Sequence, residues 1–285
     1  MKKWLCLLLL VMLVGCESVQ SQQGMGNSEQ ENKVPVVQPE KTHDTIQISK
    51  DQVHKGNLVL VNKKYPIHKE GLPTDIVNLY QNNELIQGYS LLDNTIQIST
   101  LVAEQFNKMV AAAARSEVNH FMISSGYRDN TEQKKLYQEM GSDYALPPGY
   151  SEHNVGLSLD IGSTLKSIDV APEGSWLKKY AWNYGFILRY PLDKSEITGI
   201  QYEPWHFRYV GLPHSIIMKE QHLTLEEYLK FLKEQKTYTT TINGKQYEIS
   251  FVPLSEQMTF EIPVNSMYEL SGNNTDGVIV TIEKN

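Results

Sequence analysis

Thiols are almost missing from this chain of 285 residues: its two cysteines are Cys6 and Cys16, both near the N-terminus. Everything beyond them lacks a disulfide, a thiolate nucleophile and a cysteine zinc site. Any metal there must be held by His, Asp and Glu. Positive charge is also scarce, with 26 Lys and Arg against 33 Asp and Glu, a net charge of -7. That balance argues against a nucleic-acid partner, which calls for a basic surface. Arginine is limited to Arg115, Arg128, Arg189 and Arg208, three of them inside motif-like runs. The apolar run from Leu5 to Val14 is too short to span a bilayer as a stable helix. What remains is the composition of an ordinary soluble protein, 40% hydrophobic, long enough for one good-sized domain plus extras.

Lys2 and Lys3 precede the apolar run, which closes on Leu13-Val14-Gly15-Cys16. This string resembles a bacterial lipobox, in which the cysteine is lipidated and becomes the new N-terminus. An ordinary signal peptide or a short membrane anchor are the alternatives, and all three imply export. The expectation is a lipoprotein signal peptide over 1–15 with Cys16 as the lipidation site. The mature chain then sits on the extracytoplasmic face of the bacterial cell membrane, held by its lipid. Each buried methylene of such an anchor adds about 0.8 kcal/mol. Residues 16–48 follow as a flexible tether, rich in Gln, Asn, Ser and Glu and without aromatics.

A folded domain is expected over 49–236. Leu58 to Asn62 reads as a short strand. Leu101 to Val118 has apolar residues at helical spacing and much alanine, predicting an amphipathic helix. Phe121-Met122-Ile123 predicts a buried strand, and Thr131 to Met140 a helix capped by Asn130 or Thr131. Trp176 to Tyr184 predicts a helix ending at Gly185. Thr224-Leu225-Glu226-Glu227 is a capping box opening a helix to about Lys233. Beyond it, Asn243-Gly244 between two β-like runs predicts a hairpin. Thr259 to Ile262 and Val278 to Ile282 are further β-like runs, so 237–285 reads as a small all-β accessory module.

Two segments concentrate the groups that do chemistry: Ser151 to Asp160, and Tyr202 to Arg208. A hydrolytic zinc site needs three N or O ligands, an open position for water, and a carboxylate to move the water's proton. His153, Asp160, His206 and Glu203 supply such a set, although this is not the helical H-E-x-x-H pattern. Pro204 argues against a regular central strand there, and a bulge or strand end can turn Glu203 and His206 to one site.

The strings Ser-Gly-Tyr-Arg at 125–128, Ser-x-His-x-x-Gly-x-x-x-Asp at 151–160 and Glu-Pro-Trp-His-x-Arg at 203–208 resemble the VanY-type D-alanyl-D-alanine carboxypeptidases. These are bacterial zinc peptidases that trim peptidoglycan stem peptides. The resemblance covers roughly 57–233 and leaves the C-terminal module unmatched. Ser158 stands where related motifs often have Ala. The resemblance implies an α+β fold, with a small antiparallel sheet carrying the site and helices packed on one side. It implies a Zn2+ ion on His153, Asp160 and His206, Glu203 as general base, and Arg128 as the oxyanion stabiliser. Arg208 is expected to be structural, and Gln133 and Ser151 are candidates for binding the substrate's terminal residue. The implied partner is the peptidoglycan stem peptide, and the implied state a monomer. An L,D-carboxypeptidase acting on tetrapeptide stems and a non-catalytic wall-binding lipoprotein remain as alternatives.

Overall fold

The computed structural model describes residues 42–141, 145–255 and 258–284. The expected signal peptide, Cys16 and most of the expected tether lie outside the described residues. In chain order the elements are β1 (His43–Ile48), β2 (Ile76–Asn78), β3 (Ser90–Leu91), β4 (Gln97–Ser99), α1 (Thr100–Ala114), β5 (Phe121–Ser125), α2 (Asn130–Met140) and β6 (Ser158–Ser163). Then come α3 (Pro172–Tyr180), β7 (Phe186–Leu188), α4 (Ser195–Thr198), β8 (His206–Tyr209), α5 (His214–Gln221) and α6 (Leu225–Gln235). The chain closes with β9 (Thr237–Ile242), β10 (Lys245–Pro253), β11 (Met258–Pro263), β12 (Met267–Gly272) and β13 (Gly277–Lys284).

The site-bearing sheet runs β3-β5-β6-β8-β7, antiparallel except for the β3–β5 pair. Its strands alternate as a half-buried sheet must. Phe121 and Ile123 of β5, Leu159 and Ile161 of β6, and Phe207 and Tyr209 of β8 enter one core. Phe106 and Met109 of α1 and Trp176 and Leu177 of α3 complete that core. The intervening residues, Ser158, Asp160, His206 and Arg208, therefore share the opposite face. The α+β expectation of helices packed on one side of a small sheet holds.

Local chemistry sets the helix ends. Ser99 caps α1, its Oγ accepting from Val102 N. α1 stops at Ala114, short of the expected Val118, because the chain reverses at Glu117 (φ +60°) and Ser116, Glu117 and Val118 take the last carbonyls. α2 is capped by Asp129 rather than Asn130 or Thr131, in a full capping box with Glu132. The helix expected over 176–184 is α3 followed by a tighter 3-10 turn, closed by Gly185 at φ +85°. The Thr224 box forms as expected.

Leu58 to Asn62 is not a strand. Its residues are buried on both sides, with Leu58 and Leu60 in one core and Val59 and Val61 in another. Its backbone groups form no ladder: Leu60 N donates to Asn273 O, Asn62 bridges to Tyr65, and side chains take others. Leu58 N donates to Ser271 Oγ, and Leu60 O accepts from Asn274 Nδ2.

The last strands form an all-β element, and the Asn243-Gly244 hairpin closes with both residues at positive φ. The four-stranded sheet runs β12-β13-β10-β9. β11 leaves it to pair with β1, so part of the expected tether, His43–Ile48, is strand. β13 is buried on both faces. Val278, Val280 and Ile282 pack with Ile48, Val53, Met258 and Ile262, while Ile279 packs with Leu229 and Leu232 of α6. Residues 41–285 thus make one compact unit, and the C-terminal strands share a core with the helices beside the site.

His214 ties these parts together. Its buried ring meets Tyr228 Oη of α6 at 2.8 Å and Thr281 Oγ1 of β13 at 3.1 Å. Burial pushes its imidazole down to about 3. The unfolded chain, with an ordinary His near 6.5, therefore binds one more proton between these values. Stability from this group is full above pH 6.5 and is lost as pH falls towards 3, at up to about 1.4 kcal/mol per pH unit. His214→Gln should flatten the pH dependence of urea unfolding between pH 6 and 4 by about 1 kcal/mol per unit; an unchanged slope would refute this role.

Candidate active site

Asp160 and His206 are direct cross-strand partners between β6 and β8, so pairing register alone brings them together. His153 arrives from a 3-10 turn, Glu152–Val155, capped by Ser151 and closed by Gly156 at φ +69°. A side chain at Gly156 would also meet Ile76 Cδ1 at 2.9 Å. Asp160 Oδ1 lies 3.4 Å from His153 Nε2 and 3.2 Å from His206 Nδ1. The imidazoles meet edge to face at 4.9 Å.

The rear of each ring is held. His153 Nδ1 faces the carbonyl of Gly126 at 2.5 Å, and His206 Nε2 faces Glu152 Oε2 at 3.4 Å. Gly126 must be glycine, because a Cβ there would sit 2.1 Å from the carbonyl oxygen of Gln97. The residues Ser-Gly-Tyr-Arg thus cross β4 closely enough to offer that carbonyl to the histidine.

Two buried polar atoms at the front, His153 Nε2 and Asp160 Oδ1, have no hydrogen-bond partner. Such groups are costly unless something satisfies them. With His206 they form a cluster whose ligand atoms all lie within 4.8 Å of one another. Two imidazoles and one carboxylate match the donor set of a catalytic zinc site. The residues present therefore fit a zinc ion.

Glu203 stands beside this cluster, its Oε2 3.6 Å from His206 Nδ1. It opens a turn in which His206 N donates to Glu203 O, with Pro204 and Trp205 between. Pro204 thus precedes β8 and costs the sheet nothing. Burial pushes the Glu203 carboxyl up, and Asp160 adds to this. Burial opposes charge on Asp160, but His153 and His206 hold it well below the usual carboxylate range. Burial likewise opposes charge on His206, but Asp160 and Glu152 outweigh it and push the imidazole up to about 9.

A cavity of about 300 Å³ opens over these groups. Arg128, Gln133, Ser151, Glu203, Trp205 and all three cluster residues line it. Arg128 N donates to His153 O, while Arg128 Nε has no hydrogen-bond partner. Among the described residues Arg128 makes no ion pair within 4.0 Å, so its guanidinium is not consumed by a helix. Gln133 Nε2 donates to Leu146 O, and its buried Oε1 is left without a partner. Ser151 Oγ accepts from His153 N. The structure thus brings the expected ligands, Glu203, Arg128, Gln133 and Ser151 to one cavity.

Sequence reading passed over Glu152, which is fully buried and takes both Arg189 Nε and Arg208 Nη1 on Oε1 at 2.8 Å. Arg189 also forks onto Glu226 of α6 at 2.7 and 2.9 Å. Arg208 Nη2 donates to the carbonyls of Asn57 and Val59, as the structural role expected for it requires. Tyr190, its ring 4.8 Å from that of His206, was also missed. The signal available was scarcity: two of four arginines in a domain short of positive charge.

A metal-fitting pocket on an α+β sheet, with a buried carboxylate and a free guanidinium at its rim, defines a class of hydrolase. The family model for VanY, D-alanyl-D-alanine carboxypeptidase, matches residues 95–212. A D-alanyl-D-alanine carboxypeptidase of Enterococcus faecium is 58% identical over 235 residues, 82% of this chain and 78% of that one. The crystal structure of the vancomycin resistance D,D-dipeptidase VanXYg, in complex with a D-Ala-D-Ala phosphinate analog, superposes with a TM-score of 0.74 at 35% identity. It covers 86% of this chain and 100% of that one. A mutant of the D,D-pentapeptidase VanY from a VanB-type resistance cassette, in complex with Zn(II), gives 0.51 at 30% identity over 61% of this chain and 98% of that one. The chain belongs to the VanY family of D-alanyl-D-alanine carboxypeptidases.

Breaking one partner out of a buried ionic cluster leaves uncompensated charge. Arg189→Met should therefore lower the unfolding free energy in urea by about 3–5 kcal/mol. A loss below about 1 kcal/mol would show that the cluster does not hold these elements together.

Proposed function

We propose that this chain is a zinc-dependent carboxypeptidase that removes the C-terminal D-alanine from peptidoglycan stem peptides. The observation that carries this is the pair of buried, unpartnered atoms, His153 Nε2 and Asp160 Oδ1, converging with His206 Nδ1 below a cavity that holds Glu203 and Arg128. The names of the similar proteins, which act on D-Ala-D-Ala, support the bond and the substrate class.

His153, Asp160 and His206 are the residues that hold the metal. A zinc ion there supplies Lewis acidity and makes a water molecule acidic enough to attack near neutral pH. Glu203 takes the proton from the attacking water and later gives it to the leaving amine of D-alanine. Burial of its carboxyl favours a group that accepts and returns a proton. Arg128, which lines the cavity and whose buried Nε has no partner, donates to the carbonyl oxygen as negative charge develops there. Gln133 Oε1 and Ser151 are candidates for the terminal residue, both lining the cavity together with Leu146.

Lipidation at Cys16 and placement on the extracytoplasmic face of the membrane belong to the same reading. They rest on Lys2, Lys3 and the apolar run that ends at Cys16. Among the described residues no helix is long and apolar enough to cross a membrane.

A defined pentapeptide stem, weighed by mass spectrometry after incubation, should lose one D-alanine, and a chelator should abolish the loss. Cleavage confined to tetrapeptide stems would instead establish the L,D bond. Glu203→Gln should keep zinc and lower kcat by about 10²–10⁴-fold; wild-type turnover would sink its role as base. Arg128→Ala should lower kcat by about 10²–10³-fold with zinc content unchanged.

A further inference from the structure

Glu152 divides its two oxygens between two tasks. Oε1 takes the guanidiniums of Arg189 and Arg208, each at 2.8 Å. Oε2 is left for Ser158 Oγ at 3.2 Å and His206 Nε2 at 3.4 Å. An acceptor at the rear nitrogen of an imidazole keeps a proton there, so the front nitrogen is the one offered to a metal. His206 therefore presents Nδ1 to the cluster, 3.2 Å from Asp160 Oδ1. His153 is held the other way round, with Nδ1 on the Gly126 carbonyl and Nε2 in front.

The arginines fix where Glu152 can be. Arg189 cannot follow a shifted carboxylate without leaving Glu226 on α6. Arg208 is pinned to the carbonyls of Asn57 and Val59, and its Nε to that of Tyr209. Both therefore clamp Oε1 in place, and the planar carboxylate then aims Oε2 at the histidine.

We propose that Glu152 is a positioning residue that sets His206 as an Nδ1 donor, with Arg189 and Arg208 as the clamp that aims it. This rests on the metal reading of the site. The donor ring of β8 is thereby referred to two distant elements, α6 and the segment at Asn57–Val59.

Two measurements test this. In the zinc-loaded protein, long-range proton–nitrogen NMR should show His206 bound through Nδ1, with a slowly exchanging proton on Nε2. His153 should be bound through Nε2. Glu152→Asp keeps the charge that the arginines require but withdraws the carboxylate by one methylene. Its zinc affinity in chelator competition should fall by roughly 10–100-fold while the zinc-free protein stays folded, and the His206 Nε2 proton should exchange faster. His206 bound through Nε2 would overturn the proposal, as would Glu152→Asp with wild-type affinity and exchange. If Glu152→Asp does not fold, the coordination mode of the wild type decides alone. A wild type that binds no zinc would remove the metal reading itself, and this inference with it.

Discussion

A single buried carboxylate has to be neutralised, and much of the architecture follows from that requirement. Glu152 sits where no water reaches it, between the guanidiniums of Arg189 and Arg208. Removing charges from water is expensive, and only close, well-directed partners offset the cost. The partners come from the end of β7, from β8 and, one step further out, from Glu226 of α6 and the carbonyls of Asn57 and Val59. None of these elements can slide without stranding a charge. The cluster adds little net stability by such an account, but it leaves the elements one arrangement in which to meet.

The candidate ligands depend on that arrangement in different ways. Asp160 and His206 need only strand register, since they oppose each other on neighbouring strands. A slip of one residue would turn both away and send Phe207 and Leu159 to the wrong face. His153 depends on a turn, its serine cap and a glycine in left-handed conformation. Rigid sheet and exacting turn together put three donors from two separate stretches of chain within a few ångströms of each other.

Much of this could be read from the residues alone, and the reasons for the rest are physical. Caps and turns are local, so Thr224, Gly185 and Asn243-Gly244 announced their conformations. Site residues stood out because His, Asp and Glu clustered amid glycine and aromatics. Glu152 was hidden because its importance lies in partners 37 and 56 positions away, which no local pattern records. The strand expected at Leu58–Asn62 failed for a related reason. Its apolar run is real, but alternate residues enter two different cores rather than one face of a sheet. β1 was taken for tether because its partner, β11, lies at the other end of the chain.

That last pairing has a temporal consequence. Leu58 donates to Ser271, 213 positions away, and His43–Ile48 completes its ladder only with Met258–Pro263. Contacts so remote in sequence form late and slowly, after most of the chain is free to search. If the chain is threaded through a membrane from its N-terminus, as proposed, its first strand emerges with nothing to pair with. The earliest part to arrive must wait for the last, which keeps the polypeptide pliable for as long as it is still in transit.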